Sequence, residues 1–495
     1  MGRLDALLDN PILTKHLRSR LRRSQLTAGA VIVFMLSVTI CWGGVTAIFY
    51  KALGSLGLIM ALQLVILWIM ATQQIAASVG GGRASGILEF HRVSPVPPAT
   101  VALGYLIGAP IREWLLFALT VPFAIACAVF AEVGVLGFLQ IEITVILSSL
   151  LFHCVALLAS LMVSRPKAAG GGGVVGMGLF AGFFALIASF YLYRDASFFG
   201  DTEKTLSFFG IDLPWLLMTA SYQLTGIGIL FLASARKMAA ERAHAFTKRQ
   251  AVAVMAIVST LWLGAIWDQE RENWTTLVTV YALTAAAMVV LGTITPDGAE
   301  FIKGLRRSAH AGRRWSPFTA DSADNRVVVF ILCGMVAAAA TLCWELVEFR
   351  LPGGRPSYSQ SIVVGVFTAA YFGLGLQYFL LKGPKYGMTL FGLFLFFAWV
   401  MPLVAGFVLM LADAPANIYQ VVLSLSPIAG IAAASGLGSE TRYNWPGLAA
   451  LGPSVTFAFV FNFLLVNATR RVERMVRKTA GEDPALAAKG MPVLV

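Results

Sequence analysis

The sequence predicts an all-α polytopic membrane protein, and three observations predict it. Of 495 residues, 58% are hydrophobic and 13% charged, with a mean hydropathy of +0.78, whereas soluble domains carry roughly 25% charged residues. The apolar residues gather into runs of about 20, the length a helix needs to cross a bilayer. The charges that remain are unevenly placed: 30 of the 37 lysines and arginines fall in alternate segments between those runs.

About twelve spans are predicted, at roughly 26–50, 54–78, 113–130, 134–163, 174–193, 213–233, 251–267, 277–295, 327–345, 361–381, 388–411 and 446–466. Basic residues near span ends are retained on the cytoplasmic side. That rule sets both termini in the cytoplasm of a plasma membrane. The net charge of +12 then lies beside anionic lipid headgroups and needs no nucleic-acid partner. The stretch Tyr419 to Leu437 is apolar enough for a thirteenth span, but that count would expose the basic RRVERMVRK outside. It reads instead as an outer-face helix pair or re-entrant element within 413–445, broken near Ser426 and Pro427 and covered by protein.

The order of elements repeats. In the first half, 1–250, NPILTKHLRSRLRRSQ (10–25) predicts an amphipathic interfacial helix with Leu13, Leu17 and Leu21 on one stripe and Lys15, Arg18 and Arg22 elsewhere. A span hairpin follows, then a long polar insert (79–112), another hairpin and a short basic link. The second half, 251–495, is entered through the basic segment 236–250 and has its long insert at 296–326, where RRWSP echoes HRVSP. Six spans per half make the halves parallel pseudo-repeats about an axis normal to the membrane.

Ionisable groups inside spans are rare and carry functional hypotheses. Glu142 and His153 are eleven residues apart, which returns a helix to nearly one face about 16 Å along its axis. They read either as two stations on a pathway or as a snorkelling acid and a helix-to-helix hydrogen bond. Arg112 and Glu113 open the third span as an anchor or ion pair. The chain has no GxxxxGK[ST], HExxH or GxSxG motif. Its five cysteines, Cys41, Cys127, Cys154, Cys333 and Cys343, form no CxxC pair and read as small packing residues. No catalytic residue, bound cofactor or metal site is expected.

The insert GILEFHRVSPVPPATVALGYLIG (86–108) reads either as an ordered loop packed on its own helices or as a surface for a cytoplasmic motor. It resembles the coupling insert of the type-2 ATP-binding-cassette (ABC) exporter permeases, and NPILTKHLRSRLRR resembles their opening helix. The resemblance implies that Glu89, Phe90, His91, Arg92, Ser94 and Pro95 contact a separate ATPase, with Arg306, Arg307, Trp315, Ser316 and Pro317 as a degenerate second insert. It implies Gly104 as the glycine entering the third span, and ATP and magnesium held by the partner, in two copies. Two chains pairing as a homodimer is the alternative to one chain forming the pathway. His16 departs from the family's pattern, which has an acid there, as does His91, which replaces an apolar residue. The rival functions are an ion- or proton-coupled secondary carrier, relayed by Glu142 and His153, and a transport-inactive scaffold for an ATPase.

Overall fold

A computed structural model describes residues 10–46, 52–162, 205–240, 244–267, 275–310, 323–348, 359–383, 386–435 and 445–481. Eleven helices among them are long and apolar enough to cross a membrane, and the chain is a polytopic helical membrane protein. These eleven coincide with the predicted spans. The remaining one, 174–193, lies outside the described residues, as do Trp315, Ser316 and Pro317.

The chain divides into two compact units, Met1–Leu206 with Asp212–Ala245, and Ser207–Ile211 with Phe246–Val495. The first opens with α1 (Pro11–Arg20), α2 (Arg23–Val45) and α3 (Ala52–Leu64), which runs through a π-helical stretch (Val65–Ala71) into α4 (Thr72–Ala84). Then come α5 (Ile87–Val93), α6 (Pro98–Gly108), α7 (Ile111–Phe130), α8 (Val135–Met162) and α9 (Trp215–Ala239). Before α9 stands a hairpin that the all-α expectation omitted, β1 (Thr205–Phe208) and β2 (Ile211–Pro214). Its turn residues, Phe209 and Gly210, both have positive φ, 51° and 82°, as in the two-residue turns that match strand twist.

In this unit α8 is the central helix, with 67% of its spanning window buried. It packs against α4, α6 and α9. One apolar core gathers Ile12 of α1, Ile75 and Val79 of α4, Leu88 of α5, Tyr105 and Leu106 of α6, Leu157 of α8 and Met238 of α9. The core thereby fastens the interfacial helix and the insert to the same end of three spans.

The 10–25 helix is shorter than its sequence suggests. Asn10 caps α1 by accepting from Ile12 N–H, and the helix stops at Arg20, with Leu21 at its C-cap and Arg23 already in the next helix. Leu21, at the C-cap, still bonds its N–H to Leu17 O at 3.1 Å and is half-buried. The buried side of α1 is Ile12 and His16, with Leu13 and Leu17 half-buried beside them. The partner geometry explains this choice. A Cβ on Gly104 would stand 2.8 Å from Ile12 Cβ, and one on Gly108 would stand 3.1 Å from His16 Cβ. The GYLIG spacing of α6 is a small-xxx-small surface that lets another backbone come close, and Ile12 and His16 meet it with the same four-residue spacing. Gly104 accordingly sits within α6, ahead of the third span, which begins at Ile111.

The second unit contains α10 (Lys248–Ile266), α11 (Thr275–Ile294), α12 (Gly298–His310), α13 (Arg326–Glu348) and α14 (Ser359–Lys382). After them come α15 (Gly387–Leu395), a π-helical stretch (Phe396–Val400), α16 (Met401–Leu411), α17 (Ala416–Ser424), α18 (Pro427–Ala434) and α19 (Trp445–Gly481). Here α14 is central, 67% buried over its spanning window, and Trp399 donates to the Tyr371 hydroxyl in its middle at 2.6 Å. Helices α17 and α18 meet at 118°. The bend falls where sequence placed the break: Ser426 caps α18 and Pro427 takes its first turn, a position where proline needs no N–H.

No second interfacial helix precedes this unit among the described residues. Arg236 and Lys237 finish α9, residues 244–247 are not helical, and Lys248 begins α10. Lys248 is 1% exposed and donates to the carbonyls of Ala323 and Asp324 at 2.8 and 2.7 Å. Two carbonyls just before α13 account for its burial, because a buried cation must be compensated.

Gly104→Ala is expected to force α1 and α6 apart, at an overpacking cost of about 1–3 kcal/mol. Hydrogen exchange should show faster amide exchange in α1 with the rest of the chain little changed; unchanged exchange in α1 would refute the contact.

Candidate functional site

The insert is assembled by local chemistry. At the end of α4, Ser85 N–H bonds to Gly81 O at 3.0 Å, and Gly86 takes a φ of +73°, a left-handed conformation that glycine adopts without strain. The chain then re-enters a helix, α5, for seven residues. Ser94 is extended, with ψ 156°, because Pro95 disfavours helical backbone in the residue before it. Pro98 starts α6, again in a proline-tolerant first turn.

Helix α5 has two faces. Leu88 is 1% exposed and belongs to the core, while Phe90 and Val93 are 68% and 84% exposed. Arg92 pairs with Glu89 and also donates through Nε to Met238 O at 3.3 Å and through Nη2 to Lys237 O at 3.5 Å. Those carbonyls belong to the last turn of α9, where intrahelical partners run out. A cation at a helix C-terminus also meets the negative end of the helix dipole. Arg92 is thus a positioning residue that ties the insert to a span. Ser94 Oγ donates to His91 O at 2.8 Å and Pro95 is exposed.

The insert end also carries the two histidines flagged in the sequence. His16 is buried against Tyr105, ring centroids 5.4 Å apart and edge-on. Burial, with help from the charges of Lys15 and Arg20, lowers its pKa to about 4. His91, half-buried, is shifted in the same direction by burial and by Lys15. Both imidazoles are therefore neutral near pH 7. An acid at position 16 would lie against an aromatic ring in this packing, so a neutral imidazole suits the site.

Within the spans, Glu142 and His153 do share one side of α8, facing the broken helix of the second span. Gln63 Nε2 donates to Glu142 Oε1 at 3.0 Å, and His153 Nε2 lies 3.0 Å from Leu67 O in the π-helical stretch. Trp114 stands edge-on to the His153 ring at 5.6 Å. Glu142 Oε2, Gln63 Oε1 and His153 Nδ1 have no hydrogen-bond partner among the described residues. Next to Trp114, the fully buried Glu113 pairs with Arg112 at 2.7 Å. All five cysteines are free, and no group of three metal-ligating side chains occurs among the described residues.

In the second unit, Arg306 and Arg307 are exposed on α12, which is held by the buried Phe301. They belong to a different unit from Glu89 and Arg92. Sequence reasoning missed Tyr105, Gly108, Ser78 and the terminal carbonyls of α9. The GYLIG spacing could have pointed to the first two; the others depend on which helices become neighbours. No family model, curated protein or solved structure matches the chain.

Because the folded state holds His16 below its ordinary pKa, the unfolded state binds more protons between about pH 4 and 6.5. This contribution to stability is full above pH 6.5 and is lost as pH falls toward 4. As pH falls through that window, the protection factors of the α1 amides, corrected for the intrinsic exchange rate, are expected to fall in the wild type and to stay level in His16→Leu; a level wild-type profile would contradict a neutral, buried His16.

Proposed function

We propose that the chain is the membrane-spanning permease subunit of an ABC exporter of type 2, driven by a separate cytoplasmic ATPase. The observation that carries this reading is α5: a helix anchored from below by Leu88 and Arg92 that offers Phe90 and Val93 to solvent. Exposed large apolar residues beside charge, on a fixed element outside the spans, suit a protein contact. The resemblance of this same stretch, and of α1, to the exporter permeases names the partner.

In this reading the insert end and both termini face the cytoplasm of a plasma membrane, as the basic bias requires. Residues 1–250 and 251–495 act as parallel six-span halves, with two copies of the ATPase beneath them, and ATP and magnesium bind there. Closure of the ATPases pushes on α5. The push has two routes: through the Gly86 turn into α4, which continues the second span, and through Arg92 into the end of α9. Nucleotide state then shifts the population between inward-facing and outward-facing cavities by differential contact with the two.

A second reading, a proton-coupled carrier, draws support from the unpartnered buried atoms of Glu142, Gln63 and His153. Buried polar atoms without partners are costly and are found where protons or solutes move. It predicts flux driven by a gradient with no ATPase present, abolished in His153→Ala.

Phe90→Asp combined with Val93→Asp is expected to leave membrane insertion and thermal stability unchanged, since both side chains are exposed, and to abolish association with the ATPase. Quantitative mass spectrometry of the purified complex, with ATP turnover on the same sample, reads both. Retention of a stoichiometric ATPase by the variant would sink the docking role of α5; wild-type protein that moves solute in liposomes on a pH gradient alone would favour the carrier.

A further inference from the structure

Between α1, the end of α4 and α6 there is an open cavity of about 450 Å³, within the range of small-ligand sites. Lys15, His16, Ser19 and Arg20 line one side, Ser78 lies opposite them, and Tyr105 lines it from α6. No acidic residue is in the lining among the described residues. The Glu89 carboxylate of the neighbouring helix is engaged by Arg92.

The cavity's polar groups are mostly donors awaiting an acceptor. Arg20 is oriented by its Nη2 bond to Ser78 Oγ, 3.1 Å, which leaves other N–H groups of the guanidinium unused. Lys15 has no ion pair or hydrogen bond among the described residues, and neither does the Tyr105 hydroxyl, although Tyr105 is 2% exposed. That hydroxyl sits over Gly82, where a Cβ would lie 2.7 Å from it. Burial first, and then the charge of Lys15, joined by Arg20 at His16, holds the two nearby histidines below their ordinary pKa. An arginine fork, a flexible ammonium and a phenol lining one space are the chemistry that recognises phosphate.

We propose that this cavity binds a phosphate group, with Lys15, Arg20 and the Tyr105 hydroxyl as its ligands, carried either by an anionic membrane lipid or by a free phosphorylated solute. The site goes beyond the transport reading and does not depend on what drives transport. Its walls join α1 to the turn that launches α5, with Ile87 at the rim. A bound phosphate would therefore brace the insert against α1, and the occupancy of the site would set how firmly the insert is held.

The test uses the full purified chain in detergent. Dioctanoyl phosphatidylglycerol, dioctanoylglycerol and inorganic phosphate are titrated against wild type, Lys15→Gln/Arg20→Gln, Tyr105→Phe, and Arg18→Gln/Arg22→Gln, whose exposed arginines lie outside the cavity. Native mass spectrometry counts the bound lipid, and calorimetry reads the phosphate. The phosphatidyl lipid is expected to bind wild type and to lose about tenfold or more in affinity in the cavity double variant, the effect of removing charge-assisted hydrogen bonds. A smaller loss is expected in Tyr105→Phe and little change in the Arg18/Arg22 variant, with no binding of dioctanoylglycerol. Preference for the lipid over inorganic phosphate identifies a headgroup site; equal binding of inorganic phosphate, competing with the lipid, identifies a free phosphorylated solute. Equal losses in the two double variants would reduce the effect to diffuse surface charge and overturn the site, as would unchanged affinity in the cavity double variant or failure of both phosphate probes to bind. Tyr105→Phe removes one hydroxyl from an otherwise unaltered core, so the prediction stays testable even if the double variant folds poorly.

Discussion

The insert end of the first unit depends on one steric permission, the close approach of α1 to α6 across Gly104 and Gly108. Without Cβ atoms at those two places, Ile12 and His16 can sit against the α6 backbone, and Asn10 can donate to Thr100 O at 2.8 Å while capping its own helix. The same approach brings His16 to the edge of the Tyr105 ring and opens the cavity beside it. Filling such a space would cost about 1–3 kcal/mol.

The insert itself shows how a short helix is made rigid without being buried. Seven residues are too few to form a stable helix alone, since nucleation is unfavourable. Leu88 supplies the apolar anchor, Gly86 the reversal, Pro95 the stop, and Arg92 the link to the terminal carbonyls of α9. What remains outside is Phe90 and Val93, 68% and 84% exposed, with Glu89 paired to Arg92.

Buried polarity is treated differently along the chain. Lys248 is compensated by two carbonyls, and Asn325 N–H by Gln377 Oε1 at 2.8 Å. Glu142 and His153 each receive one partner from the second span and keep one atom unpartnered. The latter partners lie next to or within a π-helical stretch, a distortion often found at functional sites.

Composition and periodicity by themselves determined the class of the protein and, within the described residues, where its spans lie. Those properties depend on single segments: a run of apolar side chains needs only the bilayer to become a helix. The break at Ser426 and Pro427, the prolines that shape the insert, and the shared side of Glu142 and His153 were legible for the same reason. Tertiary structure alone decided which face of α1 is buried, that Lys248 is interior, and that Arg92 grips α9 rather than facing solvent. Each of these is a choice between faces or partners that local propensity leaves nearly equal in energy, and it is made by the shape and unpaired backbone groups of a helix remote in sequence. The cavity beside Tyr105 belongs to the second kind, because its polar lining comes from positions 15, 20, 78 and 105 and meets only when α1 lies down on the two glycines of α6.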